Sequence, residues 1–207
     1  TWDDHASGWD DDPAVRAYAN AAFACLERLE REGRLRLDEA RVLDFGCGTG
    51  VLVEALQSRA ANIVALDTSA AMVKVLNDKV ASEGWRNVLA IAEPIEDAVL
   101  RHPAAFTPPF DLIVCSSVLA FVDDYPTTVK ALVHHLAPGG TMVEWDWELD
   151  CDADEPFGLS RDGVHSALEG AGLGDIDVRT AFEIPFEGEV MRPLMGIGTR
   201  PPGRSET

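Results

Sequence analysis

The sequence predicts an α/β fold in which helices cover both faces of a mostly parallel β-sheet. Two observations support this prediction. From residue 41 onward, short apolar runs of strand length alternate with longer segments whose apolar residues recur at helical spacing. In the last quarter, two strand-like stretches follow each other with only a turn between them. We therefore expect a parallel sheet that a C-terminal antiparallel hairpin completes.

The first element is a long amphipathic helix. Asp12 and Pro13 supply a helix cap and a proline at the first helical position. Apolar residues then recur at helical spacing from Val15 to Leu29, until Gly33 interrupts the pattern. Residues 1–12 before the helix are acidic and hold two tryptophans. We expect this segment to be a weakly ordered lid over a binding site.

Helices and strands then alternate. The predicted helices cover residues 49–60 and 69–83, a segment that ends at Pro138-Gly139-Gly140, and residues 160–172. The predicted strands are RVLDF, NIVALD, NVLAIA, FDLIVCS and TMVEWDW, followed by IDVRTAFEI and EVMRPLMGIGT with a turn at Glu187-Gly188.

The composition indicates one domain and excludes some classes of function. The 207 residues are 46% hydrophobic and contain neither a repeat nor a linker, so we expect a single domain over 1–207. The formal net charge of −19 disfavours a nucleic-acid partner, because it repels the phosphate backbone. The absence of a long apolar run and of a secretory signal predicts a cytoplasmic protein without a membrane partner. The four cysteines lack metal-binding spacing, so we predict no metal site.

The strongest functional signal is VLDFGCGTG at 42–50, where a strand leads into a glycine-rich turn that opens a helix. Glycines allow a tight turn and a close approach of a ligand to the backbone. The spacing is GxGxG, whereas a dinucleotide-binding loop has its third glycine one position later, where Val51 stands. Tight turns use glycine even where no ligand binds, so this motif, taken by itself, is also compatible with a purely structural role.

A carboxylate follows at the end of the second predicted strand. Asp67 lies 17 residues after Gly50, and a carboxylate there can accept hydrogen bonds from both hydroxyls of a ribose. Alternatively, Asp67 caps the helix that begins near Ser69. The glycine loop and Asp67 together favour a nucleoside ligand.

Four segments occur together in order: VLDFGCGTG, NIVALDTSAAMV, FDLIVCSSVLAFVDD and LAPGGTMV. From about residue 40 to residue 147, the chain resembles the class I S-adenosylmethionine-dependent methyltransferases, in particular the UbiE-like and type 11 or 12 group. The resemblance implies a Rossmann-like three-layer sandwich with a seven-stranded sheet, S-adenosylmethionine as the cofactor, and a small-molecule methyl acceptor. It divides the domain into a lid segment and helix (1–40), a cofactor-binding core (41–147) and a C-terminal helix and hairpin (148–207).

The resemblance also implies roles for individual positions. Asp44 would orient the glycine loop, and Asp67 would hold the ribose hydroxyls. The other expected cofactor contacts are Gly46, Cys47 and Gly48 for the methionine and ribose part, Thr68 and Met72 for the adenine, and Cys115 and Ser116 for the methionine chain near the sulfonium.

Two positions depart from the family pattern. Relatives usually have an acidic residue after the third strand for the adenine amine and then a backbone N–H for a ring nitrogen, but this chain has Glu93-Pro94-Ile95, and proline lacks the N–H. Either Glu93 is the acid and Ile95 serves the ring nitrogen, or the register shifts by one. Where many relatives carry a histidine after the fourth strand, this chain has Ala120.

The acceptor side is predicted from aromatic and acidic residues. We expect contacts from Trp9 and Tyr18 near the N-terminus and from Trp145 and Asp146 at the mouth of the fifth strand. The alternative is that the tryptophans only cover the edge of the sheet. No catalytic residue is assigned, because the five histidines form no constellation and methyl transfer can depend on positioning alone.

Acids occupy every second position from Glu144 to Asp154. This period of two predicts an extended strand with one face in solvent. Asp150, Asp152 and Asp154 imitate the start of a calcium loop, but the glycine that such a loop requires is absent, so we predict a solvated acidic loop.

Two other functions stay open. A nicotinamide-dependent oxidoreductase could use the same scaffold, although the GxGxG spacing disfavours it. A non-catalytic S-adenosylmethionine-binding scaffold or regulatory protein would be consistent with Ala120. The acceptor atom and the oligomeric state are left open.

Overall fold

The computed structural model describes residues 1–149, 157–186 and 189–203. The α-helices are α1 (Trp2–His5), α2 (Pro13–Arg31), α3 (Val51–Leu56), α4 (Ala70–Glu83), α5 (Ile95–Arg101), α6 (Tyr125–His134) and α7 (Arg161–Gly170). The strands are β1 (Arg41–Phe45), β2 (Asn62–Asp67), β3 (Val88–Ala92), β4 (Phe110–Ser116), β5 (Leu136–Asp146), β6 (Gly174–Thr180), β7 (Ile184–Phe186), β8 (Glu189–Met191) and β9 (Leu194–Thr199). Short 3-10 helices cover Trp9–Asp11, Pro103–Phe106 and Leu119–Phe121.

Seven strands form one sheet in the order β3-β2-β1-β4-β5-β9-β6. The strands from β3 to β5 are parallel, and β9 pairs antiparallel with both β5 and β6. The predicted mostly parallel sheet with an antiparallel C-terminal part is confirmed. The hairpin is divided into two parts: β6 and β9 join the large sheet, whereas β7 and β8, the strands next to the predicted turn, form a separate two-stranded sheet. The turn predicted at Glu187-Gly188 lies outside the described residues.

Helices cover both faces of the large sheet, and each face has its own apolar core. One core packs α2, α3 and α4 against the sheet, with Leu26 and Leu56 fully buried. The other packs α5, α6 and α7, with Leu132 and Leu168 fully buried. The central strands are buried on both faces, which explains their nearly continuous apolar sequences.

The helix boundaries follow capping signals of the sequence. The Asp12 carboxylate accepts a hydrogen bond at the start of α2, and Pro13 is its first residue. The Ser69 hydroxyl accepts a hydrogen bond from the Met72 N–H at the start of α4, and Gly84 ends this helix with a φ of 69°.

Two predicted boundaries need correction. Helix α3 covers only Val51–Leu56. Helix α6 ends at His134, and Pro138-Gly139-Gly140 lies within β5, not at the end of the helix. The pairing of β5 with β4 skips a stretch between Leu136 and Thr141, which accommodates the proline and the glycines.

The prediction that the alternating acids from Glu144 onward face solvent is wrong for Glu144 and Asp146, the two that lie in β5. Glu144 is 1% exposed and Asp146 is 2% exposed. The reason is that β5 lies inside the sheet between β4 and β9, with helices over both faces. The proposed acidic loop at Asp150, Asp152 and Asp154 lies outside the described residues.

None of the helices within the described ranges combines the length and apolarity that crossing a membrane requires.

Candidate functional site

The carboxyl ends of the parallel strands surround a cavity of about 600 Å³. The strand order reverses between β1 and β4, since β2 and β3 lie on one side of β1 and β4 and β5 lie on the other. Open α/β sheets bind their ligands at this position. Trp2 and Trp9 of the N-terminal segment complete the lining.

Three glycines with positive φ shape the loop after β1: Gly46 (74°), Gly48 (52°) and Gly50 (80°). A Cβ on Gly46 would lie 2.4 Å from the Val118 side chain, and one on Gly50 would lie 2.4 Å from the Leu76 side chain. These two glycines therefore permit close packing. Gly48 lines the cavity, and a Cβ there would meet no atom within 4 Å. Gly48 thus leaves backbone open to a ligand.

Asp44 lines the cavity at the end of β1 and is 1% exposed. Neither carboxylate oxygen has a hydrogen-bond partner among the described residues. Burial, together with the nearby charge of Asp67, raises the pKa of Asp44 to about 7. A buried carboxylate without a partner is costly, so the site suits a ligand that brings a donor or a positive charge. We predicted that Asp44 orients the glycine loop, but within the described residues its carboxylate forms no hydrogen bond to that loop.

Asp67 stands at the end of β2 and lines the same cavity. One carboxylate oxygen accepts a hydrogen bond from the Gly48 N–H at 2.9 Å, and the other accepts one from the Ser69 N–H at 2.8 Å. Each carboxylate oxygen can accept a second bond. The side chain that caps α4 is Ser69. Asp67 is therefore held in a fixed orientation with acceptor capacity left for a ligand.

Glu93, Pro94 and Ile95 also line the cavity, beyond the end of β3. The Glu93 carboxylate lies 3.0 Å from the Arg101 guanidinium. Ile95 is the first residue of α5, so its N–H has no partner within the helix. Both alternatives that the sequence left open for the adenine are compatible with this arrangement.

Of the other predicted cofactor contacts, Cys47, Thr68, Met72 and Ser116 line the cavity, whereas Cys115 does not. Cys115 lies fully buried in the core on the α5 and α6 side of the sheet. Successive residues of a strand face opposite sides, so the end of β4 presents its last residue to the cavity and its neighbour to the core. Nowhere in the described ranges do three or more His, Cys, Asp or Glu side chains come together as a metal site.

On the predicted acceptor side, Trp9 and Tyr18 line the cavity, but Trp145 and Asp146 do not. Trp145 is fully buried in the core beneath α2, because both faces of β5 are covered. The wall instead contains Trp147, which flanks Asp146 on the other side from Trp145, and residues that sequence reasoning missed: Trp2, Ser117, Val118, Phe121, Val122, Thr128 and Met191. They come from separate segments, and the sequence offers no local signal that joins them.

Asp146 does not line the cavity, but it forms hydrogen bonds with the backbone of the wall. Its carboxylate accepts hydrogen bonds from the Ala120 N–H at 2.9 Å and from the Trp147 N–H at 3.0 Å. Ala120 belongs to the 3-10 helix whose neighbouring residues Val118 and Phe121 line the cavity. Burial raises the pKa of Asp146, and these backbone bonds oppose that shift. Asp146 is thus an anchor of the loop after β4.

Glu144 anchors the other end of the same loop. The Tyr125 hydroxyl donates a hydrogen bond to the Glu144 carboxylate at 2.8 Å. Burial raises the pKa of Glu144 to about 8. On the neighbouring strand β9, a Cβ at Gly196 would lie 2.9 Å from Glu144 Oε1, so the glycine leaves the space that this carboxylate occupies.

The predicted lid segment is folded and lies over the cavity. The Asp3 carboxylate accepts a hydrogen bond from the Ser69 hydroxyl at 2.5 Å. The Asp10 carboxylate accepts one from the Thr49 hydroxyl at 2.5 Å and forms an ion pair with Lys79 at 2.5 Å. The segment is therefore bound to the glycine loop and to α4, the two elements that flank Gly48 and Asp67.

Comparison with known proteins agrees with this geometry. Residues 43–142 match a family model described as a methyltransferase domain. Among solved structures, an S-adenosylmethionine-dependent methyltransferase from Clostridium acetobutylicum ATCC 824 is 18% identical with a TM-score of 0.64, over 89% of this chain and 91% of that chain. A DhpI complex with SAH is 23% identical with a TM-score of 0.65, over 98% of this chain and 94% of that chain. Residues 43–142 therefore correspond to a methyltransferase domain in sequence, and the chain shares its fold with these solved methyltransferases.

Curated relatives of the methyltransferase domain carry the name ubiquinone biosynthesis O-methyltransferase. The protein from Xylella fastidiosa (strain 9a5c) is 38% identical over 109 residues, which are 53% of this chain and 42% of that protein. The protein from Xanthomonas campestris pv. campestris (strain B100) is 34% identical over 109 residues, which are 53% of this chain and 44% of that protein. The matched part thus spans less than half the length of these relatives.

The residues that line this cavity fit S-adenosylmethionine. The unpaired carboxylate of Asp44 suits the positive amino group or sulfonium of the cofactor. Asp67 has acceptor capacity for ribose hydroxyls, and Gly48 leaves room beside it.

Proposed function

We propose that the methyltransferase domain transfers the methyl group of S-adenosylmethionine to an oxygen atom of a small-molecule acceptor. The observation that carries the proposal is one cavity with two different parts. Acids and open backbone after β1, β2 and β3 suit the cofactor, and an apolar part follows beyond β4. The names of the curated relatives support oxygen as the acceptor atom.

The predicted cofactor contacts that line the cavity enter this proposal with their expected roles. Asp67 holds the ribose hydroxyls, and Thr68 and Met72 pack near the adenine. The adenine amine and ring nitrogen are served from Glu93 and Ile95. Ser116 lies along the methionine chain, and the apolar part of the cavity accepts the second substrate.

The transfer is an in-line displacement. A lone pair of the acceptor oxygen forms the new O–CH3 bond while the S–CH3 bond breaks, and the electron pair of that bond stays on sulfur. The products are the methylated acceptor and S-adenosylhomocysteine, and the proton of the acceptor hydroxyl passes to water. Alignment of the two reactants in the cavity can supply much of the rate, so a dedicated base is not required.

Labelled methyl transfer tests the proposal. S-adenosylmethionine with a labelled methyl group is incubated with wild type and a panel of phenols, alcohols, amines and thiols, and both labelled product and S-adenosylhomocysteine are quantified. We expect equal amounts of the two products with a hydroxyl acceptor. Asp67→Ala should lose this activity, while Asp162→Ala, an equal change at an exposed position of α7, should keep it. Cofactor binding without transfer to any class would indicate a non-catalytic binding protein.

A further inference from the structure

The part of the cavity beyond β4 is lined mainly by aromatic and other uncharged side chains. We call it the acceptor face and define it by Tyr18, Ser117, Phe121, Thr128, Trp147 and Met191. It contains three aromatic rings, a thioether and two small hydroxyl groups. Aromatic and thioether side chains form favourable contacts with the faces and edges of rings, so this surface suits a flat aromatic molecule.

The rings of the acceptor face are fixed by their neighbours. The Tyr18 ring lies 6.4 Å from the Trp147 ring and 5.3 Å from the Phe182 ring, centroid to centroid. The Phe121 ring meets the Trp2 ring edge to face at 5.2 Å. Rings held in this way lose little further freedom when a ligand binds, which favours affinity for a rigid partner.

The Tyr18 hydroxyl is a buried polar group of the acceptor face that lacks a partner among the described residues. Its oxygen is buried, and no described residue forms a hydrogen bond with it. The Ser117 side chain is close, but the two do not have hydrogen-bond geometry. Burial raises the pKa of the Tyr18 hydroxyl, so it stays protonated at neutral pH and can donate. A neutral oxygen on the ligand would satisfy this donor.

The charges around the cavity are of one sign. Within the described part of the chain, its lining includes five carboxylates and no lysine, arginine or histidine; the acids are Asp12, Asp44, Asp67, Glu93 and Glu96. Nearby cations are already paired: Arg101 lies 3.0 Å from Glu93, and Lys79 lies 2.6 Å from Glu54. A carboxylate or phosphate on the acceptor would therefore be buried without a counter-charge.

The movement of charge during methyl transfer also favours a neutral acceptor. When the acceptor is neutral, the positive charge of the sulfonium moves to the attacking oxygen and persists until the proton leaves. The carboxylates elsewhere in the cavity lining favour a positive charge in this cavity over a negative one. When the acceptor is anionic, its charge must first be brought among these acids, and the chain as a whole already has a net charge of −19.

We propose that the acceptor is an uncharged aromatic molecule with a hydroxyl nucleophile, held on the acceptor face by Tyr18, and that the cavity rejects aromatic acceptors that carry a carboxylate or phosphate. This inference rests on the proposed function, because it describes the second substrate of the same cavity.

A matched pair of ligands tests the inference independently of turnover. Calorimetry at neutral pH measures the binding of 3,4-dihydroxybenzoate and of its methyl ester to the protein saturated with S-adenosylhomocysteine. The ester should bind at least about tenfold more tightly, because it lacks the negative charge and keeps the ring and both hydroxyls. Equal or tighter binding of the free acid would overturn the inference. Labelled methyl transfer to either compound is measured separately, and its complete absence would count against the proposed function.

Two variants locate the discrimination. Thr128→Lys adds a cation to the acceptor face and should reduce the preference for the ester at least about threefold. Leu100→Lys adds the same charge at a position that is 78% exposed and outside the lining, and should leave the preference unchanged. An equal reduction by both variants would contradict a local cause.

Tyr18→Phe should weaken ester binding about 3- to 10-fold and leave the affinity for S-adenosylhomocysteine unchanged. An unchanged ester affinity would remove Tyr18 from the inference.

Discussion

The two parts of the cavity are built in different ways. The cofactor part is made from residues that directly follow β1, β2 and β3, and it presents open backbone and carboxylates. The acceptor part is made from side chains of α2, α6, β8 and the segments after β4 and β5, which lie far apart in the chain. The first depends on local sequence and the second on how distant elements pack. Substitutions should therefore affect one part without the other, except where the two meet.

The two parts meet at Gly46, and the largest effect is expected there. Gly46→Ala places a Cβ 2.4 Å from Val118 at a φ of 74°, and strain plus overpacking should cost about 2–5 kcal/mol of folding stability. Gly48→Ala meets open space at a φ of 52° and should cost only about 1–2 kcal/mol. Urea unfolding measures both. Equal losses of folding stability in the two variants would show that the contact between position 46 and Val118 does not connect the cofactor part with the acceptor part.

The pH dependence of stability should reveal the buried acid behind the acceptor part. Burial raises the pKa of Glu144 from 4.5 to about 8 in the folded chain. Between these values the folded state binds a proton that the unfolded state has released, so stability falls as the pH rises, by on the order of 1 kcal/mol per pH unit. Glu144→Gln should therefore gain stability over wild type from pH 5 to 8. Other titrating groups cancel in this difference, and a difference that does not change with pH would contradict the assignment.

Asp146 should separate binding of the acceptor from binding of the cofactor. Asp146→Ala removes the acceptor for the Ala120 N–H and loosens the loop that supplies Phe121. We expect the KM for the acceptor to rise about tenfold, with the affinity for S-adenosylhomocysteine within twofold of wild type. Asp146→Asn keeps a side-chain oxygen and should recover most of the loss. A parallel loss of cofactor affinity would mean that the two parts are not independent.

The smallest effect is expected at the N-terminal segment, which we propose to act as a lid on the cofactor part. Asp10→Ala removes the contacts to Thr49 and Lys79, while Lys79 keeps its ion pair with Glu54. The affinity for S-adenosylmethionine should fall about threefold. Asp11→Ala changes an exposed neighbour and serves as the control. If proteolysis of residues 1–12 and cofactor affinity are the same in both variants and in wild type, the segment is not a lid.

The comparison also explains what the sequence could predict. Ser69 and Gly84 act within one turn of helix α4, so its ends were predictable from adjacent residues. Gly48 and Asp67 follow strand ends and could be placed at the cavity for the same reason. These positions depend on local backbone geometry, which nearby residues determine.

Residues of the acceptor part depend on packing between distant elements. Trp145 and Trp147 lie two positions apart and would share one face of a continuous strand. β5 ends at Asp146, and the sequence does not mark this end, so it does not tell that only Trp147 reaches the cavity. Cys115 and Ser116 face opposite sides at the end of β4, and a strand buried on both faces gives no pattern that tells which of them faces the cavity. Phe121 and Met191 carry no local sequence signal, and only the fold brings them to the cavity that Tyr18 also lines.

Calorimetry of the cofactor part tests the central claim most directly. Wild type, Asp67→Asn and Asp67→Ala are titrated with S-adenosylmethionine, S-adenosylhomocysteine and NAD, with Asp162→Ala as the control. Asp67 is fixed by the Gly48 and Ser69 N–H groups, and loss of its carboxylate should cost about 2–3 kcal/mol, or roughly 30- to 150-fold in affinity, with Asp67→Asn intermediate. We expect wild type to bind the first two ligands and not NAD. Preference for NAD, or an Asp67→Ala variant as tight as wild type, would contradict the assignment of this cavity to S-adenosylmethionine.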